Sequence, residues 1–130
     1  MPPKLAPRLA LTDAAALAGR LLLALLLILG ALQKVADPAP VMQLLADRGM
    51  PALLVWPAAL YDGAVGLSLA AGFLTRPLAL TAAIYCIFTS LFHFLPDDPW
   101  QMTIFVKNWS IAGGFLLLAA HGPGRFALRP

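Results

Sequence analysis

The sequence predicts an all-α integral membrane protein, an antiparallel four-helix bundle with both termini in the cytoplasm. The chain has 130 residues, of which 61% are hydrophobic and only 12% are charged. A soluble domain of this size carries about 25% charged residues. Four apolar runs are each long enough to cross a bilayer as a helix, at about 1.5 Å per residue. An even number of spans places the two termini on the same side.

A single transmembrane domain accounts for residues 1–130. We expect spans at about 14–32, 52–74, 78–95 and 102–120, with short basic tails at 1–11 and 121–130. Thr12 and Asp13 are suited to cap the first span. A signal peptide is the alternative for that run, but Lys34 follows it directly and three further spans come after it.

The connections are short and rich in proline. Residues 33–51 form a polar connection, within which Val41–Ala46 suits a short amphipathic helix at the membrane interface. Thr75–Pro77 forms a tight turn, with Pro77 expected at the first position of the next helix, where its missing N–H is harmless.

Charge distribution predicts the orientation. The net charge is +3, and no basic cluster is interleaved with exposed aromatic residues, so we expect no nucleic-acid partner. Basic residues on the side of the termini place that side in the cytoplasm; they are Lys4, Arg8, Arg76, Arg125 and Arg129. The opposite side carries Asp37, Asp47, Asp97 and Asp98, together with Lys34 and Arg48.

Asp62, midway along the second span, is the first candidate for function. A carboxyl group in hydrocarbon costs several kcal/mol unless it is paired, protonated or turned into the protein. Lys107 lies about five residues into the predicted fourth span, so an Asp62–Lys107 ion pair is within reach across neighbouring helices. A purely structural pair that fixes helix register is the alternative interpretation.

Other polar residues converge on the same half of the bundle. Tyr85, Thr89 and His93 are spaced by four and share one helix face. The predicted polar pocket therefore contains Asp62, His93, Lys107, Asn108, Lys34 and Tyr85. Two of these residues have a simpler alternative: His93 is a solvated or hydrogen-bonded histidine near the interface, and Lys34 marks the water boundary.

Two arginines lie near the other side of the membrane. Arg20 is about six residues from the inner end of the first span, and the simpler alternative to a functional role is that it snorkels to lipid phosphates. Arg76 is either functional or a topology anchor in its turn.

Several kinds of chemistry are excluded by composition. Cys86 is the single cysteine, so no disulfide or Cys-x-x-Cys couple forms within one subunit. No metal is expected, because His93 and His121 fall on opposite sides of the membrane. No catalytic triad, phosphate loop or haem-attachment motif is present.

Four runs of the sequence carry a resemblance. GRLLLALLLILGALQKVADP, LYDGAVGLSLAAGFLTRPLAL, LFHFLPDD and FVKNWSIAGGFLLLAAHGPG, between Gly19 and Gly124, resemble the DoxX family of four-helix bacterial membrane proteins. In that family an acid, usually Glu, precedes the paired glycines of the second span, and this chain has the shorter Asp62 there. The family's characteristic polar positions match Arg20, Lys34, Asp62, Arg76, His93, Lys107 and Asn108.

The resemblance implies a membrane component of an oxidoreductase system, with quinone as the candidate ligand. A cationic His93 or Lys107 would hydrogen-bond a quinone carbonyl and Asp62 would exchange a proton, while electrons would come from a partner protein. The alternative is a non-enzymatic scaffold or chaperone that binds a lipid or a partner membrane helix. A small transporter is a third hypothesis, disfavoured by the lack of repeats or broken spans. Whether the chain is active alone or forms a homo-oligomer stays open.

Overall fold

The computed structural model describes residues 6–128, built around five α-helices. In chain order they are α1 (Ala6–Ala36), α2 (Ala39–Asp47), α3 (Val55–Ala71), α4 (Thr75–Ser90) and α5 (Pro99–His121). Short 3-10 turns at Ala52–Leu54 and Leu91–His93 precede α3 and follow α4. Within the described part, four segments are long and apolar enough to cross a membrane: Ala10–Ala36, Ala52–Ala71, Thr75–His93 and Pro99–His121. The prediction of an all-helical protein with four such segments is confirmed.

Helix α1 is longer than predicted at both ends. It begins at Ala6, so the expected non-helical tail up to residue 11 and the caps at Thr12 and Asp13 were wrong. Pro7 is tolerated because the first turn has no intrahelical partner for its missing N–H. The helix also continues to Ala36, which places Lys34 in its last turn. The predicted orientation also used Lys4 and Arg129, which lie outside the described residues.

The predicted short helix between the first two spans is present as α2. Pro40 lies in its first turn, and Leu45 is its buried residue. On the outer face the Gln43 side chain donates to Asp47 at 2.7 Å. The apolar side of α2 therefore turns toward the rest of the protein, above α3 and α4.

The long helices pack in pairs, α1 with α3 and α4 with α5. Gly66 marks the tightest part of the first pair, because a Cβ there would lie 2.8 Å from Ile28 Cγ1 and 3.1 Å from the Ile28 backbone nitrogen. Leu27, Leu69 and Phe115 fill the core between the pairs, where several alanines of α4 keep the helices close. Small residues of this kind drive membrane helices together through close packing.

Helix α3 ends at Gly72, where a neighbouring segment leaves no room for a side chain. Gly72 is left-handed with φ of 78°, and a Cβ there would lie 2.5 Å from the Cβ of Ala127. Leu74 is also left-handed, with φ of 48°, and α4 begins directly after it. Pro77 is therefore the third residue of α4 and not the first as predicted, still within the turn that tolerates proline.

Asp98 starts α5 earlier than predicted. Its carboxylate accepts from the backbone nitrogens of Trp100 at 3.0 Å and Gln101 at 3.2 Å, and Pro99 occupies the first turn. An N-cap of this kind typically stabilises a helix by about 1 kcal/mol. Because α5 begins at Pro99, Gln101 comes into contact with the end of α4.

Candidate functional site: a polar cavity at a buried ion pair

Asp62 is paired with Lys34 and not with Lys107. Nζ of Lys34, in the last turn of α1, donates to Oδ2 of Asp62 on α3 at 2.6 Å. The side chains are 16% exposed for Lys34 and 3% exposed for Asp62. A charge-assisted contact at this distance is strong, and its burial explains how an acid is accommodated in the middle of a span.

Gly30 makes room for this pair. It precedes Lys34 by one helical turn, so the two residues share one face of α1. A Cβ at residue 30 would lie 3.1 Å from Asp62 Oδ2 and 3.7 Å from Lys34 Nζ. The missing side chain therefore lets the carboxylate approach the α1 backbone and meet the ammonium group.

The other oxygen of Asp62 has no partner. Oδ1 is buried, and among the described residues nothing forms a hydrogen bond with it. A buried polar group without a partner typically costs about 1–3 kcal/mol, and more when it is charged. Such an atom marks a place where a further hydrogen-bonding group is missing.

The ion pair borders a cavity of about 580 Å³. Helices α1 to α5 all contribute to its wall, and most of the wall is apolar, including Leu44 and Leu45 of α2 and Phe88 and Phe92 near the end of α4. A volume of about 300–1,000 Å³ with a few polar groups is typical of small-molecule sites. The polar side chains that line it include Lys34, Asp62, Tyr85, Thr89, His93 and Asn108.

His93 follows the C-terminal end of α4 and is held there by a contact with α5. Its Nδ1 lies 2.7 Å from Oε1 of Gln101, and an amide oxygen only accepts, so Nδ1 carries the proton. The Leu91–His93 turn and the early start of α5 together create this contact. The imidazole is therefore fixed in orientation while lining the cavity.

Tyr85 faces the same carboxylate from α4. It lines the cavity, and its phenol interacts with Asp62 electrostatically and as a side-chain hydrogen-bond partner, although not with the geometry of a full hydrogen bond. Its ring packs against Tyr61 with centroids 4.5 Å apart, and the Tyr61 hydroxyl is hydrogen-bonded to Thr81 at 2.9 Å. The two rings thus link α3 and α4 beside the ion pair. Cys86, a buried free thiol, also lines the cavity.

Lys107 lies outside the cavity, which corrects the predicted pocket. It is exposed and borders a shallow groove on α5 with Pro99, Met102, Thr103 and Val106. Its neighbour Asn108 lines the cavity instead, since consecutive residues of a helix point about 100° apart. The structure thus brings Asp62, Lys34, Tyr85, His93 and Asn108 together and leaves Lys107 out.

Arg20 is bound inside the protein, so the alternative in which it reaches lipid phosphates does not hold. Its side chain is 2% exposed, and the guanidinium donates to the carbonyls of Pro123 at 2.6 Å, Phe126 at 2.6 Å and Ala70 at 3.2 Å. Five N–H donors in a planar fork suit three carbonyl acceptors. Arg20 thereby ties the segment after α5 to the end of α3, far along α1 from the ion pair.

The expected basic tail at 121–130 is therefore a docked segment over its described residues. The Leu128 backbone nitrogen donates to Ala71 at 2.9 Å. Arg76 contacts the same segment, with its Nη2 3.5 Å from the His121 carbonyl oxygen. Arg20 and Arg76 thus share one end of the protein, away from the cavity.

Sequence reasoning did not single out Gly30 or Gln101 as site residues. The spacing of Gly30 and Lys34, four residues apart, was a usable signal, because it places a small residue and a cation on the same helix face. The Gln101 contact depends on the exact start of α5, and the pattern of apolar residues does not reveal it. Over residues 6–128, no group of three or more His, Cys, Asp or Glu side chains is arranged to hold a metal ion.

These features define a small polytopic membrane protein with a partly polar internal cavity. The chain belongs to the DoxX family, whose profile matches residues 15–95. It is similar to the inner membrane protein YqjF of Escherichia coli (strain K12), with 34% identity over 119 residues, 91% of this chain and 92% of the relative. It is also similar to the inner membrane protein YphA of the same organism, with 36% identity over 97 residues, 66% of this chain and 67% of the relative.

No solved structure matches the chain. The resemblance to DoxX proteins read from the sequence is confirmed by the family match. With four segments able to span a membrane and inner-membrane relatives, the chain is a multi-pass inner-membrane protein.

Proposed function

We propose that this protein is the membrane subunit of an oxidoreductase system and that its cavity binds a quinone, in either redox state, or a similar lipophilic ring. The observation that supports this most is Asp62 Oδ1, a buried acceptor without a hydrogen-bond partner in the described chain, beside a cavity of about 580 Å³. The expectation of redox function itself comes from the resemblance to DoxX proteins.

The side chains present suit such a ligand. The apolar wall accommodates a ring and the start of an isoprenoid tail, while Lys34, Tyr85 and Asn108 carry donors and Asp62 and His93 carry acceptors. A quinone, when bound, supplies two-electron and two-proton chemistry. Asp62 would hold or pass a proton at Oδ1, and electrons would be delivered by a partner protein.

The proposed setting is an antiparallel bundle with both termini in the cytoplasm. Arg76 and Arg125 lie toward one end of the chain's spans, with the docked segment, and Asp37 and Asp97 lie in the connections at the other. The positive-inside rule then places the arginines in the cytoplasm. In this orientation the cavity opens in the outer half of the bilayer.

Binding of a defined probe tests the proposal. Native mass spectrometry of the detergent-purified protein with 2-decyl-1,4-benzoquinone or its hydroquinone is expected to show one bound probe. Ala58 lines the cavity, so Ala58→Phe should fill it and abolish binding. Leu60 on the same helix is 73% exposed and lies outside the cavity wall, so Leu60→Phe is the matched control and should bind normally.

The mostly apolar wall also favours a second candidate, a non-enzymatic scaffold that holds a lipid or a partner membrane helix. Failure of both probe forms to bind the wild type, with a phospholipid retained in the cavity, would contradict the quinone proposal and support the scaffold. Equal binding by Ala58→Phe would show that the probe associates with the outer surface.

A further inference from the structure

The unpartnered oxygen of Asp62 defines what the cavity lacks. Oδ2 accepts from Lys34, whereas Oδ1 is buried and unpartnered among the described residues. A carboxylate oxygen can only accept a hydrogen bond, so the missing group must be a donor. A carbonyl oxygen on a ligand cannot satisfy it.

His93 adds a second acceptor to the same wall. Its Nδ1 donates to Gln101, so in the uncharged tautomer that this contact selects, Nε2 has a lone pair and can accept a hydrogen bond. His93 and Asp62 both line the cavity. Two acceptors favour a ligand with two donors over one with two carbonyls.

Lys34 offers the opposite chemistry but does not need a ligand. Its ammonium has three donors, of which Asp62 takes one. The Lys34 side chain is 16% exposed, against 3% for Asp62, so its remaining donors are less enclosed by the protein than Asp62 Oδ1 is. The group that still needs a hydrogen-bond partner is therefore the acceptor, Asp62 Oδ1, and not the donor Lys34.

We propose that the cavity selects a ring bearing hydroxyl donors, a hydroquinone or a related phenol, over the corresponding dicarbonyl quinone. This inference rests on the proposed function and adds which redox state the site holds. One ring hydroxyl donates to Asp62 Oδ1, and His93 Nε2 is available to the other.

Gly30 acts as a positioning residue for this acceptor. A Cβ at residue 30 would lie 3.1 Å from Oδ2, closer than an ordinary van der Waals contact. A methyl group there therefore requires the carboxylate to shift slightly away from α1, and Oδ1 shifts with it. Gly30→Ala therefore keeps both charges of the pair while altering the direction of the free oxygen.

Tyr85 is the competing internal donor, since its phenol interacts with Asp62 both electrostatically and as a side-chain hydrogen-bond partner, although not with the geometry of a full hydrogen bond. If a ligand hydroxyl is the partner of Oδ1, both the wild type and Tyr85→Phe prefer hydroxyl donors, whereas a preference that appears only in Tyr85→Phe would show that the phenol already satisfies Oδ1 and would overturn the proposal. Loss of the preference in Tyr85→Phe would contradict the proposal that Asp62 accepts the ligand hydroxyl. It would assign that role to the phenol oxygen of Tyr85.

The test compares three probes of one shape by native mass spectrometry under anaerobic conditions. They are 2-decyl-1,4-hydroquinone, 2-decyl-1,4-benzoquinone and the dimethyl ether of the hydroquinone, which keeps the reduced ring without its donors. The wild type should bind the hydroquinone at least about tenfold more tightly than either other probe, as expected for a hydrogen bond to a charged group.

Asp62→Asn should reverse the preference. Lys34 would hold the oxygen of the new amide, which turns its NH₂ donor toward the cavity and favours the benzoquinone. Should this variant fail to fold, Gly30→Ala provides the same measurement. The ratio of the affinities for hydroquinone and benzoquinone should then fall from about ten toward one.

The outcomes separate the two proposals. Equal or tighter binding of the benzoquinone by the wild type would overturn the hydroxyl-donor inference and leave the proposed function standing. A preference unchanged in Asp62→Asn or, if that variant does not fold, in Gly30→Ala would also overturn it. Binding of none of the probes would overturn the proposed function itself.

Discussion

The Lys34 ammonium lies 2.6 Å from Oδ2 of Asp62, joining the last turn of α1 to the middle of α3. Both charges are largely removed from solvent, and the acid is the more deeply buried of the two. Because a buried charge without its partner is costly in a membrane, this contact links folding of the first helix pair to the polar wall of the cavity.

Removing either partner should destabilise the protein by about 3–5 kcal/mol, the usual cost of an uncompensated buried charge. Lys34→Met should be the more damaging change, because it strands the deeply buried carboxylate, whereas Asp62→Asn leaves a cation that can extend toward the membrane surface. The Lys34→Met/Asp62→Asn double variant should recover much of the loss, measured as the free energy of unfolding in detergent.

Lys107→Met is the matched control for this cycle. Lys107 lies on an exposed face of α5, so its effect should add to that of Asp62→Asn without coupling. Strong coupling of Asp62 to Lys107, with none to Lys34, would contradict the ion pair described here.

Gly30→Ala should lower stability even though alanine is the better helix former. Its Cβ would lie 3.1 Å from Asp62 Oδ2, so the carboxylate has to shift. Gly113, in the middle of α5, has nothing within 4 Å of a built Cβ, and Gly113→Ala should gain up to about 1 kcal/mol from helix propensity. Thermal unfolding of the two variants side by side checks this, and equal gains at both positions would refute the tight contact.

The sequence predicted the four long apolar helices well, because length and hydrophobicity alone determine which segments can span a membrane. It also identified Asp62 from the cost of a charge in hydrocarbon. The partner was missed because the first span was expected to end at residue 32, which left Lys34 outside it. The helix continues four residues past residue 32, to Ala36, which places Lys34 in its last turn. Only the packing of α1 on α3 shows that this lysine faces Asp62.

Arg20 illustrates a different limit of sequence reasoning. A cation near the end of a span is equally compatible with lipid phosphates and with backbone carbonyls. Its partners come from the segment after α5, more than 100 residues later in the chain, and hydrophobic periodicity does not predict how such a segment docks. The Asp98 cap is the opposite case, since Asp followed by Pro at a helix start is a local signal.

Arg20→Met should release the segment that follows α5. Without the guanidinium, the Pro123 and Phe126 carbonyls lose their donors, and trypsin should cleave after the exposed Arg125 faster than in the wild type. The rate is measured by mass spectrometry of the released C-terminal peptide. Arg48→Met removes an exposed arginine whose contact with the Phe94 carbonyl is long, at 3.4 Å, and should leave the rate unchanged. Equal rates in Arg20→Met and wild type would show that other contacts hold the segment.

The proposed orientation is tested by cysteine labelling in a Cys86→Ser background, where the lost thiol is buried and apolar in behaviour. Cysteine at Ala39 or Asp97 should react with an impermeant thiol reagent in intact cells, and cysteine at Arg125 should react only after lysis. Asp97 is preferred to Asp98, because Asp98 caps α5. Labelling of Arg125→Cys in intact cells, with protection of the other two, would invert the topology.

The central claim, that the cavity beside Asp62 holds a redox-active lipophilic ring, is tested most directly by mass spectrometry of the protein gently extracted from its own membrane. Wild type and Leu60→Phe should carry a quinone or hydroquinone that Ala58→Phe lacks, because Ala58 lines the cavity and Leu60 does not. Recovery of the same phospholipids or partner chain from all three proteins, with no quinone or hydroquinone in any of them, would contradict the account.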